Sequence, residues 1–396
     1  MTRLIITAIH REAAHRCSSG SLYVLDFEDR KLLMKTDGIE PPYRLHDQNP
    51  RGGMRGMRGL GVRNGELAVA NYSSVFFFDP HWNLLRTLTH PSVAAIHEIL
   101  YVDDGIWVSS TANDLLAKFD LAGQLMEFEY VRSHKNLMRQ LGGPWRPGSQ
   151  QGDAPNGKFD LRKRTYFKSD AYDRTHLNSM TFGPDGRLFI SLGLIVGDSF
   201  SFLVILKGVM ISLHLWKPFL SLNRLVRSML RLEKKMLSEL VVQPARGRSA
   251  VISTDLRGDW RVHLLLPTLQ NPSHSARILD DGTGLYLDTS HGTLIHFDPN
   301  GDIISNTRIT EKFLRGLLVL SDGQLAIGTD NLLLVFNLQK GEVVSEIEIT
   351  KDPRITIFDV QVLPPEFELP PDSLESRTGR IAGFANRNIL WEKGRA

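Results

Sequence analysis

Residues 273–304 read SHSARILDDGTGLYLDTSHGTLIHFDPNGDII, and residues 314–344 read LRGLLVLSDGQLAIGTDNLLLVFNLQKGEVV. Each stretch contains four short apolar runs, and an Asp-Gly pair separates the first run from the second. The two units are each about 40 residues long, which is the repeat length of a β-propeller blade. Residues 271–349 therefore predict two consecutive four-stranded blades.

Similar units recur earlier in the chain. Turns at Gly65, Gly105 and Gly186 each follow one apolar run and precede another, which predicts three more blades. Residues 4–34 predict a second, third and fourth strand without a first, whereas residues 357–362 predict a first strand alone. Pairing these two segments closes the ring and removes its open edges.

The prediction is therefore an all-β fold, a six-bladed β-propeller closed by N- and C-terminal strands. It assigns residues 1–363 to one propeller domain and residues 364–396 to a C-terminal tail. The proline pairs that begin at Pro364 and Pro370 predict irregular chain on the outside of the ring.

An insertion at residues 194–249 separates the second and third strands of the blade with the turn at Gly186. Counted from the N-terminus, this is blade four. Residues 199–216 are nearly all apolar, and residues 219–240 carry apolar side chains at helical spacing with Arg and Lys on the other side. This pattern predicts a helical hairpin whose second arm is basic and amphipathic. Lys207 in the middle of the first arm argues against a membrane span. The segment 199–240 is predicted to be a lid, a membrane-surface contact or a self-association contact.

The composition limits the classes of function. The 396 residues are 42% hydrophobic and 23% charged, with a net charge of +3, which is typical of a globular protein and too small a charge to predict nucleic-acid binding. The apolar run from Leu4 to Ile9 is too short for a secretory signal, and the single Cys17 has no partner for an internal disulfide. The expected location is the cytoplasm, with peripheral membrane contact as the alternative.

Three long connections are expected on one face of the ring. They span residues 38–55, 134–175 and 194–249, and each lies where a first strand begins or where a second strand passes to a third. Long loops on one face of a rigid scaffold usually carry the function. Polar residues also occupy the predicted start of every first strand on this face: Arg58, His97, Asn178, His274, Arg315 and Asp359, with His176 close by.

These residue types predict acid and base chemistry on an anionic ligand. Arg58 and Arg315 are the predicted anion-binding pair, because a guanidinium group binds carboxylate or phosphate with two hydrogen bonds. His97 and His274 are candidates for general acid or base near neutral pH, with Asp359 orienting one of them.

Asn178 and His176 complete the predicted substrate-binding set, with Asn178 as hydrogen-bond donor to a developing charge. The alternative is a polar, water-filled channel whose side chains bond to one another.

A metal site is a further alternative. His97, His176 and His274 lie on different predicted blades, and a propeller brings such residues together at its axis. The sequence has no phosphate-binding glycine loop leading into a helix and no nucleophile elbow, so it leaves the cofactor open.

At these positions the chain resembles an uncharacterised bacterial six-bladed β-propeller family that is often found in natural-product gene sets. The resemblance rests on the strand-start motifs His-Leu-Asn at residues 176–178, His-Ser-x-Arg at 274–277 and Arg-Gly-Leu at 315–317, and it covers about residues 175–335. It implies the propeller fold and leaves the reaction open.

Three hypotheses of function follow. The leading one is an enzyme that binds an apolar substrate with an anionic group at the mouth of the channel. Hydrolysis, isomerisation, cyclisation and addition all remain open, as does a place in natural-product biosynthesis. The others are a non-catalytic propeller that binds a membrane or a protein, and a metalloenzyme with histidine ligands.

Overall fold

The chain folds as a ring of six β-sheets. A computed structural model describes residues 2–11, 20–39, 56–63, 65–142, 160–162, 173–195, 213, 215, 247–268, 271–320 and 323–374. Within these ranges the strands form six antiparallel sheets of four strands each, and each sheet is one blade. The predicted all-β, six-bladed propeller is therefore confirmed.

Each blade runs from a first strand at the axis to a fourth strand at the rim. The strands of blades one to three are β24 (Ile355–Leu363), β1 (Arg3–His10), β2 (Gly20–Asp26) and β3 (Lys31–Asp37); β4 (Leu60–Arg63), β5 (Glu66–Ala70), β6 (Ser74–Phe78) and β7 (Leu84–Thr89); and β8 (Ile96–Val102), β9 (Gly105–Ser110), β10 (Leu115–Asp120) and β11 (Leu125–Tyr130).

Blades four to six repeat the same order. Their strands are β12 (Leu177–Phe182), β13 (Leu188–Ile195), β14 (Gly247–Thr254) and β15 (Trp260–Thr268); β16 (His274–Ile278), β17 (Gly284–Asp288), β18 (Thr293–Phe297) and β19 (Ile303–Arg308); and β20 (Leu314–Val319), β21 (Gln324–Thr329), β22 (Leu332–Asn337) and β23 (Glu342–Glu348). A short helix, α1 (Lys135–Gln140), follows blade three.

The two ends of the chain close the ring as the sequence predicts. Strand β24 pairs with β1 in antiparallel register, with Leu4 opposite Val362 and Ile6 opposite Val360. The first strands of consecutive blades lie side by side around the whole circle. Strand β1, which would otherwise be an open sheet edge, is therefore paired on both sides.

The turns between first and second strands follow from their glycines. Gly65, Gly186, Gly282 and Gly323 all have positive φ angles, between 71° and 82°. A side chain is strained in this conformation, so the Asn-Gly and Asp-Gly pairs in the sequence place the tight turns.

Apolar side chains from neighbouring blades pack against each other between the sheets. Second strands such as β5 and β17 are buried, whereas β19 at the rim is mostly exposed. The packing between blades one and two also includes part of the tail, since Phe367 lies edge-on to Trp82 at 5.9 Å between ring centroids. Residues 364–374 thus pack on blades one and two.

The predicted helical hairpin at 199–240 lies outside the described residues, apart from Leu213 and Leu215. The tail beyond residue 374 and most of the connections at 40–55 and 143–172 lie outside them as well. The end of the ring where the first strands begin is hereafter the mouth. The two connections and the predicted hairpin all start and finish at this end. In the described part of the chain, no helix has the length and apolar character to cross a membrane.

Candidate functional site

The candidate site is built by irregular strand starts. Five of the six first strands carry a β-bulge near the mouth, where the pairing with the second strand shifts by at least one residue. A bulge turns side chains away from the regular alternation of the strand, and here it directs polar residues to the axis. The shifts lie between Ile96 and Ile99, Leu177 and Ser179, His274 and Ala276, Leu314 and Leu317, and at Phe358.

Positive φ angles accompany these bulges. Ala95, His176 and Ser275 have φ angles of 53°, 49° and 58°, and Gly316 has a φ angle of 75°. A residue with a Cβ atom is uncommon in this region, and such strain is concentrated at functional sites. The strained residues here are all within two positions of a predicted site residue.

Three of the predicted residues meet at the axis. His97 of blade three, His176 at the start of blade four and His274 of blade five have ring centroids 5.0, 5.6 and 5.9 Å apart. We call them the axial histidine cluster. His97 and His274 are buried, and His176 is partly exposed towards the mouth.

The two predicted arginines lie beside this cluster and share an aromatic ring. The guanidinium carbon of Arg315 is 3.4 Å from the ring centroid of Phe358, and that of Arg58 is 5.3 Å from it. Both arginines are 7% exposed. We call Arg58 and Arg315 the arginine pair; cation–π contact and the hydrogen bond from Arg58 Nη1 to the Ile96 carbonyl (3.1 Å) fix its position.

Aromatic rings form the walls around these polar groups. Phe358 lies 5.3 Å from His97, and Phe313 lies 5.3 Å from His274, measured between ring centroids. Arg11 places a third guanidinium group over Phe313 at 4.5 Å. Phe313, Phe358 and Arg11 are not among the site residues predicted from the sequence.

Burial and positive charge make two of the histidines poor proton acceptors. Burial, followed by the Arg315 charge, lowers the pKa of His97 and that of His274 well below the usual value. Both rings are therefore neutral at pH 7, and each keeps one nitrogen lone pair.

The carboxylate of Asp359, predicted to orient a histidine, bonds to the backbone in this structure. Its two oxygens accept hydrogen bonds from the backbone N–H groups of Leu60 and Val360, both at 2.8 Å. The carboxylate that orients a histidine is instead that of Asp173, which binds His176 Nδ1 at 2.8 Å. The bulge at Phe358 explains the difference, because it moves Phe358 to the arginine pair and turns Asp359 away from it.

Asn178 connects two blades. Its Nδ2 donates to the Ser273 carbonyl at 2.6 Å, and its Oδ1 accepts from the Ser191 hydroxyl at 2.8 Å. These bonds hold the start of blade five against blade four. Asn178 therefore positions blade five relative to blade four. Its predicted contact with a substrate stays a prediction.

Threonine hydroxyls make equivalent connections at other blade junctions. Thr7 donates to the Arg58 carbonyl, Thr111 to the Leu177 carbonyl and Thr289 to the Leu314 carbonyl. Thr111 and Thr289 also contact a ring nitrogen of His97 and of His274. The same side chains therefore hold the blades together and fix the histidines.

Comparison with known proteins adds the fold. No family model matches the sequence, and no curated protein matches it either. A chain of a nidogen/laminin complex superposes with a TM-score of 0.51 at 7% identity, over 91% of this chain and 98% of that one. A likeness at such low identity shows the fold alone.

Two other solved structures have lower scores. A protein of unknown function from Bacteroides caccae has a TM-score of 0.48 at 8% identity, over 91% of this chain and 97% of that one. Virginiamycin B lyase from Staphylococcus aureus has a TM-score of 0.42 at 12% identity, over 75% of this chain and 71% of that one.

Proposed function

We propose that this propeller is an enzyme that acts on a small molecule with an anionic group and an apolar body, bound at the mouth. The observation that carries the proposal is the arginine pair beside Phe358, next to the axial histidine cluster. This arrangement combines two cations, an aromatic surface and neutral imidazole rings at one site.

The arginine pair is the anion-binding part of the proposed site. Arg58 and Arg315 are both buried, and in a medium of low polarity a cation attracts an anion more strongly than it does in water. An anion placed between them would also reduce the repulsion between the two guanidinium groups. Carboxylate and phosphate have the matching geometry.

The aromatic walls select the rest of the ligand. Tyr72, Phe313 and Phe358 surround the arginines and histidines, and Tyr72 lies 5.2 Å from the Arg58 guanidinium carbon. Such rings bind an apolar body and exclude water from it. The proposed substrate therefore has its anionic group at the arginine pair and its apolar part against these rings.

The axial histidine cluster is the proposed centre of reaction. His97 and His274 are held neutral by burial and by the Arg315 charge, so each presents a lone pair to a bound ligand. The proposal leaves the class of reaction open, and it includes a place in natural-product biosynthesis as one possibility to test. The roles predicted for residues 199–240 as a lid, membrane contact or self-association contact remain predictions.

Anion binding is tested with phenyl phosphate, and Arg315→Ala is expected to weaken its binding at least about tenfold, since a hydrogen bond to a charged group contributes about 1.5–3 kcal/mol. Isothermal titration calorimetry measures the affinity on metal-stripped protein. Arg315→Lys keeps the charge without the planar guanidinium group. Its affinity for phenyl phosphate should lie between those of the wild type and Arg315→Ala. Benzyl alcohol, which is neutral, should bind weakly to all three proteins.

Arg261→Ala is the matched control. Arg261 lies at the rim of blade four, and its side chain is 59% exposed. Equal affinities for phenyl phosphate in the Arg315→Ala and Arg261→Ala proteins would contradict the proposed anion site. Circular dichroism checks that each variant is folded.

Catalysis is tested separately by mass spectrometry of a mixture of aromatic and aliphatic carboxylates and phosphates. The wild type and Arg261→Ala are expected to consume at least one compound, whereas Arg315→Ala and His274→Ala are expected to leave it unchanged. Arg315-dependent binding of phenyl phosphate without consumption of any compound would instead favour a non-catalytic binding protein.

A further inference from the structure

The axial histidine cluster has the arrangement of a metal site. One ring nitrogen from each of His97, His176 and His274 lies within 4.8 Å of the other two. The three residues come from blades three, four and five, so the site exists only when these blades are packed side by side. Among the described residues it is the one group of three His, Cys, Asp or Glu side chains with this geometry.

The hydrogen bonds of the rings indicate which nitrogen carries the lone pair. His97 Nδ1 lies 2.8 Å from the Ala95 carbonyl oxygen, and His176 Nδ1 lies 2.8 Å from Asp173 Oδ2. Both oxygens can only accept, so each Nδ1 carries the proton and donates it. In the neutral form of each ring the lone pair is then on Nε2.

His274 follows the same pattern. Its Nδ1 lies 3.4 Å from the Thr289 hydroxyl, and that hydroxyl donates its own proton to the Leu314 carbonyl. The hydroxyl oxygen therefore accepts from Nδ1, which leaves the lone pair of His274 on Nε2 as well. All three Nδ1 atoms thus have a neighbouring oxygen that favours the same tautomer.

Metal-binding histidines show the same pattern, since they donate one N–H to a carboxylate, carbonyl or similar acceptor and bind the metal with the other nitrogen. We propose that His97, His176 and His274 bind one divalent transition-metal ion, of which Zn²⁺ is the representative, through their Nε2 atoms. Imidazole nitrogen is a preferred ligand for Zn²⁺ and related ions, and three protein ligands leave a position for substrate or water.

Small ring rotations complete the coordination. A tetrahedral ion with bonds of about 2.0–2.1 Å holds its nitrogen ligands about 3.4 Å apart, so each ring has to move only slightly inward. The inference rests on the proposed function, because the arginine pair places the anionic group of the substrate beside the open position. An anion there also offsets the repulsion between the ion and Arg58 and Arg315, and Asp173 adds a negative charge behind His176.

The site is tested with ZnCl2 on chelator-stripped full-length protein by isothermal titration calorimetry. One ion per chain is expected in the wild type. His176→Ala should weaken binding more than about 100-fold. Asp173→Asn should weaken it about 10- to 100-fold, which is typical when the hydrogen-bond partner of a metal ligand is replaced. His176 is partly exposed, so its removal leaves the buried core intact.

His291→Ala is the matched control. His291 also pairs with a carboxylate, that of Asp288 at 2.7 Å, but it lies outside the cluster and its side chain is 44% exposed. The wild type and His291→Ala should bind Zn²⁺ equally. Equal binding by His176→Ala, or no stoichiometric binding by the wild type, would overturn the metal assignment.

The two proposals fail separately. Zn²⁺ binding without Arg315-dependent binding of phenyl phosphate would keep the metal site and remove the proposed function. Arg315-dependent binding of phenyl phosphate by stripped protein that takes up no Zn²⁺ would keep the proposed function and remove the metal site.

Discussion

Replacement of Arg277 by Ala is expected to lower the free energy of unfolding by about 3–5 kcal/mol. Arg277 Nη2 donates to Glu98 Oε1 at 2.6 Å, and both side chains are largely buried. Removal of the guanidinium group would leave the Glu98 carboxylate buried without its cation. Urea unfolding of the two proteins at pH 7 measures the difference.

The large effect follows from the position of the pair. Glu98 lies on β8 and Arg277 on β16, and the second oxygen of Glu98 accepts the backbone N–H of Met180 on β12. One carboxylate therefore joins the first strands of blades three, four and five close to the axis. Its loss of pairing weakens three blades at once.

An exposed ion pair is the control for this prediction. Arg308 and Glu311 are 66% and 87% exposed, and such a pair contributes about 0–1 kcal/mol. Arg308→Ala should therefore change the free energy of unfolding only slightly. A loss of similar, small size in Arg277→Ala would show that the buried pair adds nothing to stability.

The sequence was a good guide to the fold because the blade signal is local and repeated. Gly65, Gly186, Gly282 and Gly323 have positive φ and occur in the Asn-Gly and Asp-Gly turns that the sequence shows, and the unmatched strands at the two ends could be paired by counting. The helical hairpin at 199–240 lies outside the described residues, so its prediction still stands as such.

The site was predicted in part. Counting back from each turn found His97, His274 and Arg315, because strand length fixes how far a residue lies from the turn. Strand β24 is followed in the sequence by the tail and not by a turn to the second strand of its blade, so its register could not be counted in this way. Phe358 was missed in favour of Asp359 for this reason, and a β-bulge lies at Phe358 as well.

Asp173 was missed for a different reason. It lies at the end of a long connection and reaches His176 through three-dimensional packing, and no repeat pattern extends there. Arg11 and Phe313 lie beyond their strand ends and were missed in the same way. The spacing of residues repeats from blade to blade in the sequence, whereas contacts between blades depend on how the blades pack in the ring.

The stability of the folded protein is expected to depend on pH through Asp359. Burial, together with the charge of Glu98, raises the pKa of Asp359 to about 7. The same carboxyl ionises near pH 3.9 in the unfolded chain, so between about pH 4 and 7 the folded protein retains a proton that the unfolded chain has lost. Its contribution to the free energy of unfolding therefore falls as pH rises and becomes constant above pH 7.

The comparison with Asp359→Asn isolates this effect. Between pH 5 and pH 8 the wild type should lose about 2.5 kcal/mol relative to the variant, whose amide does not titrate. His97 and His274 titrate with the opposite sign, since their pKa values are lowered, but they are present in both proteins and cancel in the difference. Urea unfolding at pH 5, 6, 7 and 8 gives the curve, and a difference that stays constant would mean that Asp359 is ionised throughout this range.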